Sequence, residues 1–190
     1  QFGTWVYWNR VPKTSIESIE VVRGGASDLY GSSAVGGVIH IRTRRPQART
    51  LLGETSFGAR GLKQGSIFTS DVKGNWGYSL AAEAFDTNGY ISSFNPTSPP
   101  QPGPVDEPVA SKYQTGVLNI ERKIGTNVRA YSGFVYSNEA RNNGTPLTRN
   151  DTQFRQANIG ADFTHRYGRT SIQAYGGSEG FDSTFSSVTA

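Results

Sequence analysis

Side chains capable of catalysis or metal binding are few in this sequence. The two histidines, His40 and His165, each lie in a predicted strand without a second ligand at the spacing of a metal site. Glu17 and Glu20 are too close together, and too near a turn, to act as a paired acid and base, and no Ser/His/Asp arrangement is present. Cysteine is absent, which excludes disulfides and thiol nucleophiles. The sequence therefore predicts neither an enzyme nor a cofactor.

A segment from Ile16 to Pro46 is rich in glycine and aliphatic residues. Its β-branched residues predict one strand before Gly24 and a second strand around Val38–Ile41. Because strands followed by glycine-rich turns also bind phosphate, this segment is a candidate phosphate site. Its glycines, at positions 24, 25, 31, 36 and 37, do not match GxGxxG, no lysine follows them as in a P-loop, and no nucleophile elbow is present. The absence of these motifs argues against a phosphate site.

Two short helical turns are predicted within and beside the same segment. Thr14 and Glu17 have the spacing of a capping box, which predicts a turn around Thr14–Ser18. Ser27 is a favourable N-cap residue and Gly31 a favourable terminator, which predicts a second turn over Ser27–Tyr30.

The order of residues in this segment carries a family resemblance. It contains Ile16-Glu17-x-Ile19-Glu20-Val21-x-Arg23-Gly24, then Ala26-Ser27-x-x-Tyr30-Gly31, then Ala34-Val35-Gly36-Gly37-Val38-Ile39-x-Ile41. Over about 30 residues these runs resemble the end of the plug domain of TonB-dependent outer-membrane receptors. One departure is Gly25, which stands where proline is common in the family.

The composition is typical of strands with one apolar face. Of the 190 residues 35% are hydrophobic and 23 are glycine, which suits such strands better than a core packed on two sides. No apolar run reaches about 18 residues, the length of a membrane helix. The chain has no methionine and begins Gln1-Phe2-Gly3. We therefore expect an internal fragment or a processed product whose signal peptide lies upstream.

The net charge of +4 includes one cluster of basic residues: Arg42, Arg44, Arg45 and Arg49. One interpretation is a patch that binds nucleic acid. The other is that these arginines lie on a polar strand face and pair with carboxylates elsewhere. Because no nucleic-acid motif accompanies the cluster, the second interpretation is favoured and no nucleic-acid partner is expected.

From about Thr50 onward, the chain consists of segments of roughly 10–15 residues in which apolar and polar residues alternate, and turns separate these segments. Seven strands are predicted, within residues 52–60, 66–74, 78–86, 113–123, 128–136, 154–166 and 170–184. Asn88–Ser111, which contains six prolines, and Arg141–Asp151 are predicted to be long loops. The remaining connections are short turns, and the side on which the opening turn lies stays ambiguous.

Short turns that alternate with long loops are typical of a transmembrane barrel, whose short turns face the periplasm. Trp76, Tyr78, Tyr113 and Tyr167 lie near strand ends and are predicted to form its aromatic girdle. Apolar and polar residues also alternate along the strands of a soluble β-sandwich, but such a fold usually has shorter strands and a more apolar inner face. The resemblance directly upstream favours the barrel. Since seven strands do not close so large a barrel, roughly two-thirds of it is expected downstream.

The expected fold class is therefore mostly β. It comprises the end of a small α+β plug domain, followed by about seven antiparallel strands of an incomplete transmembrane β-barrel. Residues 1–47 are assigned to the C-terminal part of the plug domain and residues 48–190 to the N-terminal part of the barrel.

The resemblance also implies a function and a location. Such receptors bind a large, scarce solute, such as a siderophore–iron complex, cobalamin or an oligosaccharide, and import it across the bacterial outer membrane with energy supplied by TonB. The implied partners are TonB, through a TonB box upstream of Gln1, together with outer-membrane lipid and an extracellular solute. The alternatives are a passive porin-like or structural barrel, and an enzymatic barrel, for which this sequence supplies no Ser/His or Asp/His set.

Three aromatic residues, Trp5, Tyr7 and Trp8, are the candidates for substrate contact. They precede the plug motif, where the resembled family has a loop at the outward tip of the plug. Aromatic rings there stack on ring-bearing ligands, and the alternative is that they pack inside the domain.

A second set of candidates shapes or holds the plug. By resemblance, Arg23, together with Arg42 or Arg44, is expected to hold the plug through ion pairs to barrel carboxylates. Tyr30 is expected to pack against the plug sheet, and four glycines to form its tight turns: Gly24, Gly31, Gly36 and Gly37.

Overall fold

A computed structural model describes residues 7–25, 36–91, 103 and 105–185. These residues form a two-stranded sheet and a separate seven-stranded sheet, both antiparallel. Within these ranges, no helix has the length and apolar composition needed to cross a membrane.

The first sheet, here called the plug hairpin, contains β1 (Ile16–Arg23) and β2 (Gly37–Thr43). The two strands pair antiparallel, with Arg23 opposite Gly37. Gly37 has φ +144°, and a Cβ added there would lie 2.6 Å from the carbonyl oxygen of Val22, so only glycine allows this close approach. The predicted strand break at Gly24 is confirmed, since β1 ends at Arg23. The predicted turn over Ser27–Tyr30 lies outside the described residues.

The predicted helical turn around Thr14–Ser18 is wrong in extent and in its cap. A 3₁₀ turn covers Lys13–Ser15, and β1 already begins at Ile16. The Thr14 hydroxyl lies 2.9 Å from the Ser66 hydroxyl instead of capping the turn. A partner distant in the sequence therefore replaces the local capping box.

The second sheet, here called the wall sheet, contains seven strands in sequence order, each paired with the next. They are β3 (Thr50–Phe57), β4 (Lys63–Lys73), β5 (Trp76–Thr87), β6 (Ser111–Ile124), β7 (Val128–Asn142), β8 (Arg149–His165) and β9 (Gly168–Ser183). The predictions of a mostly β fold and of seven antiparallel strands are confirmed.

The connections sort into two ends of the wall sheet. Residues 74–75, 125–127 and 166–167 form the short-turn end, and the connections from β3 to β4, β5 to β6 and β7 to β8 belong to the long-loop end. The opening turn belongs to the long-loop end, because the Asn88 amide donates to the carbonyl oxygen of Arg60 at 3.0 Å. The second long loop is shorter than predicted, since Arg141 and Asn142 continue β7 and pair with β8.

The two faces of the wall sheet differ in polarity. Large apolar side chains project from the outer face and are exposed, among them Leu51, Leu80, Leu118, Phe134 and Ile159. The inner face carries small polar and acidic residues that are buried, among them Ser66, Glu83, Thr115, Ser137 and Glu139. An apolar outside and a polar inside is the arrangement of strands that meet lipid on one face only.

The predicted aromatic girdle is correct at three of its four positions. Trp76, Tyr78 and Tyr167 are exposed near the short-turn end. Tyr113 instead pairs with Glu139 in the register, and its hydroxyl donates to Glu83 at 2.7 Å, so it belongs to the inner face. Proximity to a strand end does not determine which face a side chain occupies, because neighbouring residues alternate.

The assignment of the two faces predicts that an introduced arginine lowers the free energy of unfolding more on the outer face than on the inner face. Ile159→Arg places a charge on the outer face near the middle of β8. In the full-length protein in lipid vesicles, it is expected to lower the free energy of unfolding by about 2–4 kcal/mol. Gln156→Arg, on the inner face of the same strand, is the matched control and is expected to cost much less. Urea titration followed by tryptophan fluorescence measures both, and equal losses would contradict the assignment.

Candidate functional site

A short stretch on the plug side, Tyr7–Ser15, contacts the wall sheet and is here called the docking segment. It contains the 3₁₀ turns Trp8–Arg10 and Lys13–Ser15, and Pro12 between them is fully buried. The segment crosses the inner face of the wall sheet and forms ion pairs with the strands at both of its edges, β3 and β9. It is therefore the candidate site at which plug and wall are held together.

Lys13 and Thr14 attach one end of the docking segment to β3, β4 and β5. The Lys13 backbone amide donates to Glu83 Oε2 at 2.7 Å, and its ammonium group pairs with Glu54. The Thr14 amide donates to Ser66 Oγ at 3.2 Å. Backbone amides thus supply part of the attachment, whatever side chain the segment carries.

Asn9 attaches the middle of the segment to β6. Thr115 Oγ1 lies 2.6 Å from the Asn9 carbonyl oxygen and donates to it. The same hydroxyl lies 2.9 Å from Ser137 Oγ on β7, so a buried pair of hydroxyls supports the contact.

Arg10 attaches the other end to β8 and β9. Its guanidinium carbon lies over two aromatic rings, 4.2 Å from the centroid of Tyr7 and 3.9 Å from that of Phe154. Its Nη2 atom is also 3.0 Å from Glu179 Oε2. Two cation–π contacts together with a carboxylate form an environment that suits a planar guanidinium better than a lysine.

Glu83 is the buried centre of these contacts, with 6% of its surface exposed. In addition to Lys13, it accepts hydrogen bonds from Gln64 Nε2 at 3.1 Å and from the Tyr113 hydroxyl at 2.7 Å. A buried carboxylate is tolerated only when such donors replace its water. Removing it would leave three donors without their acceptor.

A second charged cluster lies at the short-turn end of the inner face. Asp162 accepts hydrogen bonds from Arg129 Nε at 2.9 Å, from Arg169 Nη2 at 2.5 Å and from Ser171 Oγ at 2.7 Å. Arg129 also pairs with Glu121 at 2.8 Å. The cluster joins four consecutive strands, β6 to β9, and stabilises this end of the wall.

Beside this cluster, residues 44–49 connect the plug hairpin to β3. A Cβ added at Gly77 would lie 2.8 Å from Pro46 Cβ, so the connection passes close over β5. Ser70 Oγ donates to the carbonyl oxygen of Gln47 at 3.2 Å. The connection is thereby fixed to the inner face of the sheet.

The predicted aromatic candidates occupy different environments. Trp8 is 55% exposed. Tyr7 packs on the Arg10 guanidinium, and Trp5 lies outside the described residues. Of the two candidates that the structure describes, Trp8 is the one whose side chain is free of the Arg10 stack.

The predicted latch arginines make contacts within the plug side of the molecule. Arg42 Nη1 lies 3.4 Å from Glu20 Oε1 across the plug hairpin, and Arg44 Nε donates to the Thr14 carbonyl oxygen at 3.3 Å. Arg23 forms no ion pair with a residue that the structure describes. Gly24, Gly36 and Gly37 lie at the ends of the hairpin strands, whereas Tyr30 and Gly31 are outside the described residues.

The sequence analysis did not identify Arg10, Lys13 or Glu83 as contact residues. Lys13 and Glu83 are 70 residues apart, and the Asn9–Thr115 contact spans 106 residues. No local motif signals such pairings. In the described part of the chain, no group of three or more histidine, cysteine or acidic side chains is arranged to hold a metal ion.

Comparison with known proteins shows that the start of the chain is similar to one family. Residues 2–38 match the TonB-dependent receptor plug domain. The vitamin B12 transporter BtuB of Vibrio vulnificus is 61% identical over 33 residues, 17% of this chain and 5% of that protein. The ferric enterobactin receptor PirA of Pseudomonas aeruginosa is 54% identical over 41 residues, 22% of this chain and 6% of that protein.

One similarity extends beyond the plug motif. The vitamin B12 transporter BtuB of Vibrio cholerae is 37% identical over 73 residues, 38% of this chain. The chain covers 12% of the length of that relative, so all three similarities concern a small part of longer proteins.

The geometry around Lys13 predicts that two neighbouring glutamates differ in importance. Glu83→Ala removes a buried acceptor, at a cost of about 1–3 kcal/mol, so the Lys13 amide is expected to exchange hydrogen about 5- to 150-fold faster in the full-length protein. Glu54→Ala removes only an exposed ion pair and is expected to accelerate exchange less than about fivefold. Hydrogen exchange with mass spectrometry measures both, and a larger effect of Glu54→Ala would contradict the central role of Glu83.

Proposed function

We propose that this chain, whose residues 2–38 match the TonB-dependent receptor plug domain, supplies the end of the plug and the first seven barrel strands of an active importer. It resides in the bacterial outer membrane. The boundary between the two parts is placed between residues 47 and 48, within the connection from the plug hairpin to β3. The whole receptor takes up a large, scarce solute with energy delivered by TonB.

One observation carries this proposal: the plug-domain match leads directly into a sheet whose polar inner face binds the docking segment. A passive pore has no need of a domain fixed across its lumen. The outer face of the same sheet carries exposed aliphatic and aromatic side chains, as lipid contact requires. The two features together are those of a gated barrel.

The contacts of the docking segment suit a plug that must move and return. They are hydrogen bonds, a partly exposed ion pair at Glu54 and a cation–π stack at Arg10. Apart from the hydrogen bonds to the buried Glu83, each such contact contributes little net stability, because water replaces it when it breaks. Force applied upstream can therefore separate the segment from the wall one contact at a time, without exposing a large apolar surface.

We propose the class of solute from the relatives of this chain, and we propose the residue that contacts it from the exposure of the aromatic side chains. Relatives bear the names of a vitamin B12 transporter and a ferric enterobactin receptor. A siderophore–iron complex, cobalamin or an oligosaccharide therefore remains the proposed cargo. Trp8 is the strongest contact candidate, since its ring is exposed whereas that of Tyr7 already stacks on Arg10.

Energy dependence separates this proposal from a passive barrel. In cells that express the full-length receptor, a protonophore is expected to abolish solute accumulation and to leave binding at the cell surface unchanged. The measurement is uptake of radiolabelled solute with and without the protonophore. Continued uptake by downhill diffusion would support the porin-like alternative.

The exposed ring of Trp8 gives a second prediction for the same receptor. Trp8→Ala is expected to weaken solute binding by about 2- to 10-fold, the contribution of one aromatic contact, and Trp8→Phe to restore most of it. Tyr7→Phe is the control, because it keeps the ring that stacks on Arg10. Titration calorimetry gives the dissociation constants, and unchanged binding by Trp8→Ala would remove Trp8 from the contact set.

A further inference from the structure

A recess with an excess of positive charge lies at the short-turn end of the inner face, beside the connection from the plug hairpin to β3. It has a volume of about 260 Å³, and the turn from β6 to β7 forms one of its walls. Four cations and one carboxylate line it, so its formal charge is +3. These residues are Arg45, Lys123, Arg129, Arg169 and Asp162.

A second recess of about 250 Å³ adjoins the first and shares Arg45 and Arg129 with it. It adds one cation and one carboxylate, Arg44 and Glu121, so the excess of positive charge is unchanged. The polar side chains of Asn119, Tyr131 and Asn158 also line it. The two recesses together are here called the basic recess.

Both carboxylates of the basic recess already have cationic partners. Asp162, which is buried, accepts hydrogen bonds from Arg129 and Arg169, and Glu121 pairs with Arg129 at 2.8 Å. A guanidinium carries five N–H groups. Arg129 donates three of them to these carboxylates and Arg169 donates one. The carboxylates therefore do not use all the donors of the recess.

Two further cations, Arg45 on the connection and Lys123 on β6, form no ion pair with a residue that the structure describes. Lys123 is on the inner face, because it is opposite Arg129 in the strand register. The backbone beside Arg45 is fixed, since the Arg44 amide donates to the Ser15 carbonyl oxygen at 2.8 Å. The two cations are therefore positioned at the recess and are available to an anion.

We propose that the basic recess binds a phosphate group, which links the connection to the wall through Arg45 and Lys123. A phosphate carries more than one negative charge near pH 7 and several strong acceptor oxygens. Arginine matches a phosphate with two parallel N–H donors, and lysine adds a point charge. A monovalent ion such as chloride has neither the charge nor the geometry to bridge both cations. The ligand class is therefore inorganic phosphate or a phosphate monoester.

Such a ligand has a mechanical consequence. One phosphate reaches both Arg45 and Lys123 only while the connection lies on the wall sheet. A ligand that binds one of two arrangements stabilises that arrangement. Phosphate at the short-turn end, which faces the periplasm in barrels of this kind, therefore holds the connection in place. The inference does not depend on the proposed import, because binding is measured without any solute.

Titration calorimetry of the full-length receptor in detergent tests the proposal. Inorganic phosphate and glycerol phosphate are titrated in turn at constant ionic strength, with chloride as the balancing anion. Saturable binding is expected, and the tighter of the two ligands identifies the source of the phosphate group. Arg45→Gln and Lys123→Gln are each expected to weaken binding about 3- to 10-fold, the contribution of one partly exposed charged contact. Lys123→Arg is expected to retain it.

Arg122→Gln is the matched control. Arg122 is the neighbour of Lys123 but is opposite Trp76 in the register, and its guanidinium lies 4.9 Å from the centre of that ring. It is therefore on the outer face and does not line the basic recess. Its substitution removes the same charge from the same end of the sheet and is expected to leave phosphate binding unchanged.

Hydrogen exchange with mass spectrometry gives a second readout. At a phosphate concentration ten times the dissociation constant, amides of residues 44–49 that exchange by undocking are expected to exchange about tenfold more slowly. The same phosphate concentration is expected to have little effect in Lys123→Gln, whose side chain is exposed and whose loss leaves the fold intact.

Three results would overturn the proposal. Equal weakening by Arg122→Gln and Lys123→Gln would show a general attraction of anions to this end of the sheet. Undiminished binding by both Arg45→Gln and Lys123→Gln would place the phosphate elsewhere. Binding without slower exchange of residues 44–49 would show that the phosphate does not link the connection to the wall.

Discussion

The backbone N–H and C=O groups of a strand in an apolar environment must form hydrogen bonds with neighbouring strands, and this constraint determines the architecture of the molecule. Consecutive antiparallel pairing satisfies those groups and leaves the side chains alternating between lipid and lumen. The outer face is therefore apolar, and the inner face becomes the polar one. This reverses the usual globular arrangement: in the described residues, Phe68 and Ala81 are the buried hydrophobic residues, beside ten buried polar or charged ones.

A polar inner face determines how anything can be held inside the barrel. Apolar packing there includes the buried residues Pro12, Phe68 and Ala81, and the docking segment adds to it hydrogen bonds, charges and one guanidinium stack. Its cations, Arg10 and Lys13, meet carboxylates on the wall at Glu179 and Glu54. Glu83 differs from these surface pairs because burial makes its hydrogen bonds harder to replace.

The alternation along single strands could be predicted from the sequence, because it has a period of two and each strand shows it without reference to its neighbours. In β5, for example, the alternate residues Tyr78, Leu80, Ala82 and Ala84 share the outer face. Tyr113 was misplaced because its position was judged by distance from a strand end. Thr14 was misplaced because a capping box was preferred to a partner 52 residues away. The contacts of the docking segment depend on which strand lies beneath it. The residues of the segment itself do not indicate which strand that is.

The family resemblance identified what the sequence alone could not derive, namely that the glycine-rich segment is part of a plug. The wall contacts of that plug, however, involve residues before the motif. Arg42 and Arg44 have partners on the plug side, while Arg10 reaches two strands of the wall. A motif preserves the internal geometry of the plug and says little about how the plug is held.

The contact between Lys13 and Glu83 has a further implication for sequence drift. Its donor is a backbone amide, which every residue except proline supplies at position 13. The acceptor is a side chain that a single nucleotide change can remove. The two sides of this contact therefore tolerate mutation unequally: the plug residue is free to vary, and the barrel residue is constrained. A search for paired substitutions between these positions would miss the contact, because it requires a particular residue type at position 83 and not at position 13.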